Sequence, residues 1–291
     1  MDYLLNTDRA KKFLLDGSYG DRLLKIHPDL GPLPDLANTR YPHDVFNLHQ
    51  GYLDAGSEIL LTNTFGCNLT RLSQANALHL QNELLLGGIQ IARQAAVNKA
   101  YIAACLGPQG FGKKDSIKQK TVLEKNLVHT LELIAHEKVD LIVFETQYHY
   151  EEILLNLNTA QKVLKNRVPV WLSLTVTHDG APLFASEHPD WLKTFEDLGI
   201  HWLGFNCGFG PESILKAIQK TKDQTQIPLT AKPNLGLPEN IQNLGIKKSQ
   251  KEFIKYAQEI INLGITAIGA CCQSSPDDIL NLSQLLNHQK L

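Results

Sequence analysis

Asp140-Leu141-Ile142-Val143-Phe144-Glu145 sets four bulky apolar residues in a row between two carboxylates. A strand with one wet face alternates apolar and polar residues, whereas an unbroken apolar run suits a parallel strand covered on both faces. Comparable runs lie at 13–16, 58–62, 101–105, 170–175, 201–206, 227–231 and 265–270, so the chain has eight predicted strands. Between them, apolar residues fall at helical spacing over 45–55, 69–98, 117–137, 150–166, 189–198, 211–221, 249–263 and 276–287. Pro211 and Pro276 suit a first helical turn, with Ser274 and Ser275 as cap candidates for the latter. Gly56, Gly199 and Gly264 suit helix ends.

Strict alternation of strand and helix either closes as a barrel or stays open as a doubly wound sheet. Eight units with no GxGxxG after the first strand favour closure, and 291 residues is near the roughly 250 of one such domain. The expectation is an α/β chain folded as a single (β/α)8 TIM barrel over residues 1–291. A barrel keeps its chemistry on the loops that follow its strands. Those positions read Asp16-Gly17-Ser18, Asn63-Thr64-Phe65, Gly107-Pro108, Glu145-Thr146, Thr177-His178, Asn206-Cys207-Gly208, Pro233-Asn234 and Cys271-Cys272. Polar and thiol groups are therefore expected to converge on one rim.

The composition excludes several classes. A net charge of −2 offers no field to gather nucleic acid, and Lys113-Lys114 and Lys247-Lys248 read as solvated surface. Asp2, Asp8, Arg9, Lys11 and Lys12 interrupt any export-type apolar segment, and no run approaches the ~20 apolar residues of a membrane span. No nucleic acid and no membrane are expected as partners, and the expected location is cytoplasmic. Five cysteines, an odd number, argue for reduced thiols available to metal or chemistry.

Cys207 and the pair Cys271-Cys272 end the sixth and eighth strands, only one strand apart around a barrel. They read either as packing residues or as three ligands of one metal. Zinc takes thiolates, and three protein ligands with an open fourth position mark a reactive site. Three thiolates cancel the zinc charge, which makes it a poor generator of hydroxide and a good holder of a thiol substrate, kept deprotonated for attack on an activated alkyl group. Cys105 reads as core, Cys67 as incidental, and His178 and His188 as loop residues without metal-ligand spacing.

The motifs Asp16-Gly17-Ser18-Tyr19-Gly20, Thr62-Asn63-Thr64-Phe65-Gly66, Leu106-Gly107-Pro108, Glu145-Thr146, Gly204-Phe205-Asn206-Cys207, Pro233-Asn234-Leu235-Gly236 and Gly269-Ala270-Cys271-Cys272 together resemble the homocysteine S-methyltransferase family. That family includes the homocysteine-binding module of cobalamin-dependent methionine synthase and free-standing enzymes that use S-methylmethionine or S-adenosylmethionine. The resemblance implies a zinc-dependent barrel with Cys207, Cys271 and Cys272 as metal ligands. It also implies that backbone amides at Gly17 and Ser18 receive the homocysteine carboxylate, that Asp16 and Glu145 face its ammonium, and that Asn234 supplies an oxygen to zinc before substrate binds. The sequence departs from the family at Ala270, where glycine is usual, and at Gln273-Ser274-Ser275-Pro276, where Gly-Thr-Thr-Pro is usual.

The expected reaction is attack of the zinc-bound homocysteine thiolate on a methyl donor to give methionine. The chain ends soon after its eighth helix, so the donor is expected to diffuse in or arrive on another protein. Its length favours S-methylmethionine or S-adenosylmethionine, with Tyr19, Phe65 and Tyr148 as candidate aromatic faces for a sulfonium. The runs 62–66 and 234–238 resemble the corrinoid-dependent module, which would make the chain the homocysteine-activating subunit of a split methionine synthase using methylcobalamin on a separate protein. A third reading, suggested by the altered loop after Cys272, is a zinc- or thiol-binding protein without catalysis.

Overall fold

The computed structural model describes residues 11–111, 117–235 and 250–288. The pairs Lys113-Lys114 and Lys247-Lys248, and residues 236–238 of two of the quoted motifs, lie outside them. The strands are β1 (Phe13–Leu14), β2 (Ile59–Leu61), β3 (Tyr101–Leu106), β4 (Leu141–Gln147), β5 (Val170–Leu174), β6 (Trp202–Cys207), β7 (Leu229–Pro233) and β8 (Ala267–Ile268). All pair in parallel in the order β1-β8-β7-β6-β5-β4-β3-β2. A parallel bridge between Leu15 and Ile59 joins β1 to β2 and completes the ring, with helices between successive strands. This is the expected (β/α)8 barrel.

The continuous apolar runs split into two buried layers by their period of two. Phe13, Leu15, Ile59, Leu61, Ala103, Cys105, Leu141, Val143, Trp171, Trp202 and Ala267 form one cluster inside the barrel. Their strand neighbours, including Leu60, Ile142, Phe144, Leu172, Leu203, Phe205 and Ile268, join the larger cluster that packs the helices onto the sheet. The inward alternation continues upward at Glu145, Asn206, Lys232 and Cys271. These four strands thus end in polar or thiol side chains, of which Glu145, Lys232 and Cys271 line the cleft at the barrel mouth.

Several boundaries differ from expectation for local reasons. The helix expected over 69–98 is broken into Leu69–Gln74, a 3-10 turn at Leu78–Leu80 and Gln81–Ala96. Asn76 adopts φ 54°, a left-handed conformation that asparagine tolerates, and the Ala77 amide donates to the Leu72 carbonyl (2.8 Å), closing the first helix. The seventh strand runs two residues beyond its expected end at 231, which brings Lys232 onto the inner face. The link from β1 to β2 contains unexpected helices at Gly20–Ile26 and Ala37–Arg40. At Pro276–His288 the Ser275 amide donates to the Asp278 carboxylate (2.9 Å), the reciprocal half of a capping box. Among the described residues no helix is long and apolar enough to cross a membrane.

β8 is formally short, yet its pairing continues. The Gly269 amide donates to the Ala231 carbonyl (2.9 Å), that of Cys271 to Pro233 (2.9 Å) and that of Ala270 to Asp16 (3.1 Å). The chain is held on both sides up to the cysteine pair. Gly204 lies on the inner face of β6, where an added Cβ would stand 2.6 Å from Trp171 Nε1 and crowd Thr230 Oγ1. Overpacking of this kind costs about 1–3 kcal/mol. Gly204→Ala is expected to lose stability in that range by urea unfolding; a change under about 0.5 kcal/mol would show that the interior yields more easily than these contacts imply.

Candidate metal and thiol-binding site

Cys207 ends β6, and Cys271 and Cys272 follow β8. Their sulfur atoms all lie within 4.8 Å of one another, with 3.9 Å between the Cys271 and Cys272 Sγ atoms. A tetrahedral ion with metal–sulfur bonds near 2.3 Å requires sulfurs about 3.8 Å apart. The donor set and its spacing therefore fit a thiophilic ion such as zinc, with one coordination position left for another ligand. The Cys271 and Cys272 thiols donate toward Cys207 and hold it well below the usual thiol range. Those same bonds to Cys207 raise Cys271 to about 11 and push Cys272 up as well.

Asn206 and Asn234 fix this arrangement. Asn206 is fully buried, accepts from Ser173 Oγ (2.7 Å) and the Thr146 amide (3.1 Å), and donates to Thr146 Oγ1 (2.7 Å). Its amide nitrogen also faces the Cys271 sulfur at 3.8 Å. Asn234 directs its amide nitrogen to the Cys207 sulfur (3.6 Å), and its oxygen accepts from the Cys272 amide (3.1 Å). In this geometry the Asn234 oxygen braces the cysteine loop rather than facing the sulfurs.

Lys232, which sequence reading missed, stands beneath the sulfurs. Its ammonium lies 3.0 Å from Asp16 Oδ1 and 3.4 Å from Glu145 Oε1, with the lysine side chain only 4% exposed. Burial works against its charge, but the attraction of Asp16, Glu145 and the nearby Cys271 outweighs this and holds it above the usual lysine range. Burial raises both carboxyls, and Lys232 opposes that rise. Lysine on the inner face of a buried strand was the available signal, but it is legible only once the strand is carried past 231.

The two carboxylates differ in what they can still reach. Asp16 is fully buried and also accepts from the Leu61 amide (2.5 Å) and Tyr19 Oη (3.0 Å). Glu145 accepts from the Cys105 thiol (3.2 Å), keeps 12% of its side chain exposed and lines the main cleft. That cleft, about 980 Å³, is also lined by Gly17, Ser18, Lys232 and all three clustered cysteines. The Ser18 amide is already engaged by Ser274 Oγ (2.9 Å), which itself donates to the Cys271 carbonyl (2.7 Å). The loop that departs from the family thus ties the Gly17–Ser18 turn to the cysteine pair.

Other candidates fall elsewhere. Cys67 is buried against Asp35 (3.5 Å), and Cys105 packs inside the barrel below Glu145. His178 meets the edge of Phe209, and His188 stacks on Tyr150. Tyr19 is buried against His49 and Tyr52, the Arg71 guanidinium covers Phe65 at 4.9 Å, and Tyr148 leans on His149.

Comparison with known proteins agrees with this architecture. The family described as homocysteine S-methyltransferase matches residues 13–286. Methionine synthase of Mycobacterium leprae is 26% identical over 297 residues, covering 95% of this chain and 24% of that protein, so the chain spans about a quarter of that relative's length. Homocysteine S-methyltransferase 2 of Saccharomyces cerevisiae is 26% identical over 314 residues, covering 95% and 94% of the two chains. The metallated form of the homocysteine methyltransferase MmuM from Escherichia coli has the same fold, with TM-score 0.77, 20% identity and coverage of 97% and 98%.

A hydrogen-bonded chain behind the site makes stability sensitive to acid. Tyr19 Oη donates to Asp16 and lies 2.7 Å from His49 Nδ1, which must then donate to the phenol oxygen. His49 is fully buried with Nε2 unpartnered, and burial lowers it to about 3. An unfolded histidine binds its proton near pH 6.5, so acidification from about 6.5 towards 3 favours the unfolded chain. The urea midpoint is expected to fall over that interval more steeply than in His49→Gln. Parallel pH profiles for the two proteins would remove His49 as the cause.

Proposed function

The chain belongs to the homocysteine S-methyltransferase family, and from that premise we propose that it methylates the thiol of homocysteine, with Cys207, Cys271 and Cys272 as ligands of a zinc ion. The observation that carries this reading is the convergence of three sulfurs from two strand ends at the floor of one cleft. Zinc, when bound, would keep the acceptor sulfur deprotonated at neutral pH. The chain's own groups do the rest. Gly17 and the turn fastened by Ser274 receive the carboxylate end, and Glu145, which reaches the cleft, faces the amino end. Asn206 and Asn234 hold the cysteine loops in place, so no rearrangement is needed at the moment of reaction. The acceptor sulfur forms its bond to the methyl carbon as the bond from methyl to donor breaks, and that electron pair leaves with the donor.

S-methylmethionine or S-adenosylmethionine would supply such a methyl group from solution. A second donor, methylcobalamin carried on a separate protein, is favoured by a specific feature. A sulfonium gains from open aromatic faces, but Arg71 already covers Phe65, and Tyr19 is buried with its hydroxyl engaged. One face of Phe65 is thus taken, and the Tyr19 ring is packed on His49 and Tyr52.

About one zinc per chain is expected from metal analysis, with Cys207→Ser, Cys271→Ser and Cys272→Ser each binding far less. Unchanged zinc in all three variants would remove the proposed ligand set. Methionine formation from homocysteine should then be assayed in parallel with S-methylmethionine, S-adenosylmethionine and methylcobalamin. Turnover with methylcobalamin alone would support the second donor, turnover with a sulfonium alone the first, and no turnover with any would contradict the proposed catalysis.

A further inference from the structure

Asp16, Glu145 and Lys232 bring two carboxylates and one ammonium together at the barrel mouth from the ends of three strands that are not neighbours in the sheet. Lys232 Nζ contacts both carboxylates, at 3.0 and 3.4 Å, and its position on the inner face of β7 points it into the floor of the cleft. Asp16 has its other oxygen taken by the Leu61 amide and Tyr19 Oη, and is itself fully buried. An amino acid entering the cleft would bring its ammonium to a place where the protein already holds one. Only Glu145 remains to meet it, and Glu145 is shared with Lys232 and with the Cys105 thiol. Lys232 balances only one of the two carboxylates, but a second ammonium brought to Glu145 would stand beside the first, so its attraction to the remaining negative charge is offset by repulsion from Lys232.

We propose that Lys232 is a specificity-determining residue that replaces the acceptor's amino group, so that the site methylates small thiol carboxylates lacking an α-amino group as well as homocysteine. The inference rests on the proposed thiol methyltransferase reading and deepens it. The acceptor class is then defined by a thiol for the cysteine cluster and a carboxylate for the Gly17–Ser18 turn. The amino group contributes little to recognition because the protein supplies its own cation.

The test compares homocysteine with 4-sulfanylbutanoate, which is homocysteine without its amino group. Binding of each is measured calorimetrically on the zinc-loaded protein, and methyl transfer is measured with whichever donor supports it. In the unmodified protein the two thiols are expected to bind within about tenfold of each other. In Lys232→Met the two acids lose their resident cation, and homocysteine should gain on 4-sulfanylbutanoate by at least about tenfold, because its ammonium now fills the gap. A merely structural lysine would weaken both thiols alike and leave their ratio unchanged. Should Lys232→Met fail to fold with two unpaired buried acids, Lys232→Met/Asp16→Asn removes the charge that does not line the cleft and keeps Glu145, and homocysteine should again gain on 4-sulfanylbutanoate relative to the unmodified protein. The unmodified protein decides the matter without either variant. Homocysteine binding with 4-sulfanylbutanoate more than about a hundredfold weaker overturns the proposal while leaving the methyltransferase reading intact. Binding of neither thiol brings down both.

Discussion

A buried ammonium between two buried carboxylates holds the mouth of this barrel together. Lys232 comes from β7, Asp16 follows β1 and Glu145 lies on β4, and no two of these strands are neighbours in the sheet. The contact therefore crosses the barrel rather than running along it. Such a group is not a cheap source of stability, since the desolvation of each ion offsets most of the attraction. Removing one member, however, leaves its partners buried and uncompensated, at a typical cost of about 3–5 kcal/mol. The set acts as a constraint on geometry. It fixes the height of Glu145 against the sulfurs and anchors the end of β1, whose regular pairing covers only two residues.

The rim around it departs from regular strand geometry where side chains must turn. Thr146, Cys207 and Gln273 all have positive φ, at 58°, 61° and 66°. For a β-branched residue such as Thr146 this conformation is uncommon, and each such residue costs about 1–3 kcal/mol unless its surroundings enforce it. The enforcement is visible. Thr146 sits where the β4–β5 register shifts between Phe144 and Gln147, and Asn206 binds both its amide and its hydroxyl. Gln273 is held by its backbone amide, which donates to the Asp21 carboxylate (2.8 Å). Local irregularity beside a rigid sheet is how the chain aims Glu145 and the cysteines into one cleft.

Much of this was legible in the sequence, and the reason is that buried parallel strands advertise themselves. Runs such as 140–145 and 201–206 leave no polar face to confuse, so the eight strands and the residues that follow them could be read without a partner sequence. That Cys207 meets Cys271-Cys272 followed from this frame, because a barrel brings strand ends six and eight together, but the strands alone left packing and metal binding both open. The break at Asn76 was hidden because the apolar spacing continues through it. Lys232 was hidden for a different reason. A charged residue normally ends a buried strand, so the reading stopped at 231, whereas here two distant carboxylates, 216 and 87 positions away, make the charge tolerable inside. Asp16 was read as a group facing a ligand for the mirror-image reason: nothing local shows that its partner is a lysine of the same chain.

The two ends of the cleft are built on different principles, and this bears on what each can select. The floor is rigid and charged, with sulfurs, Glu145 and Lys232 fixed by bonds among strand ends. The outer wall is made largely by the link from β1 to β2, with Leu24, Pro28, Pro32 and Pro34 beside Lys25 and Arg71. Proline-rich turns and an arginine already stacked on Phe65 give that wall shape and charges of both signs, with Asp21 and Asp35 among Lys25 and Arg71, rather than an aromatic cage. With charges of both signs on it, the wall offers no net field to draw a small cation, whereas a bulky group can cover its apolar turns. On the proposed function, acceptor recognition falls to strand-end residues, where the fold dictates their positions. Donor choice is left to loop residues whose role emerges only when the chain has folded around them.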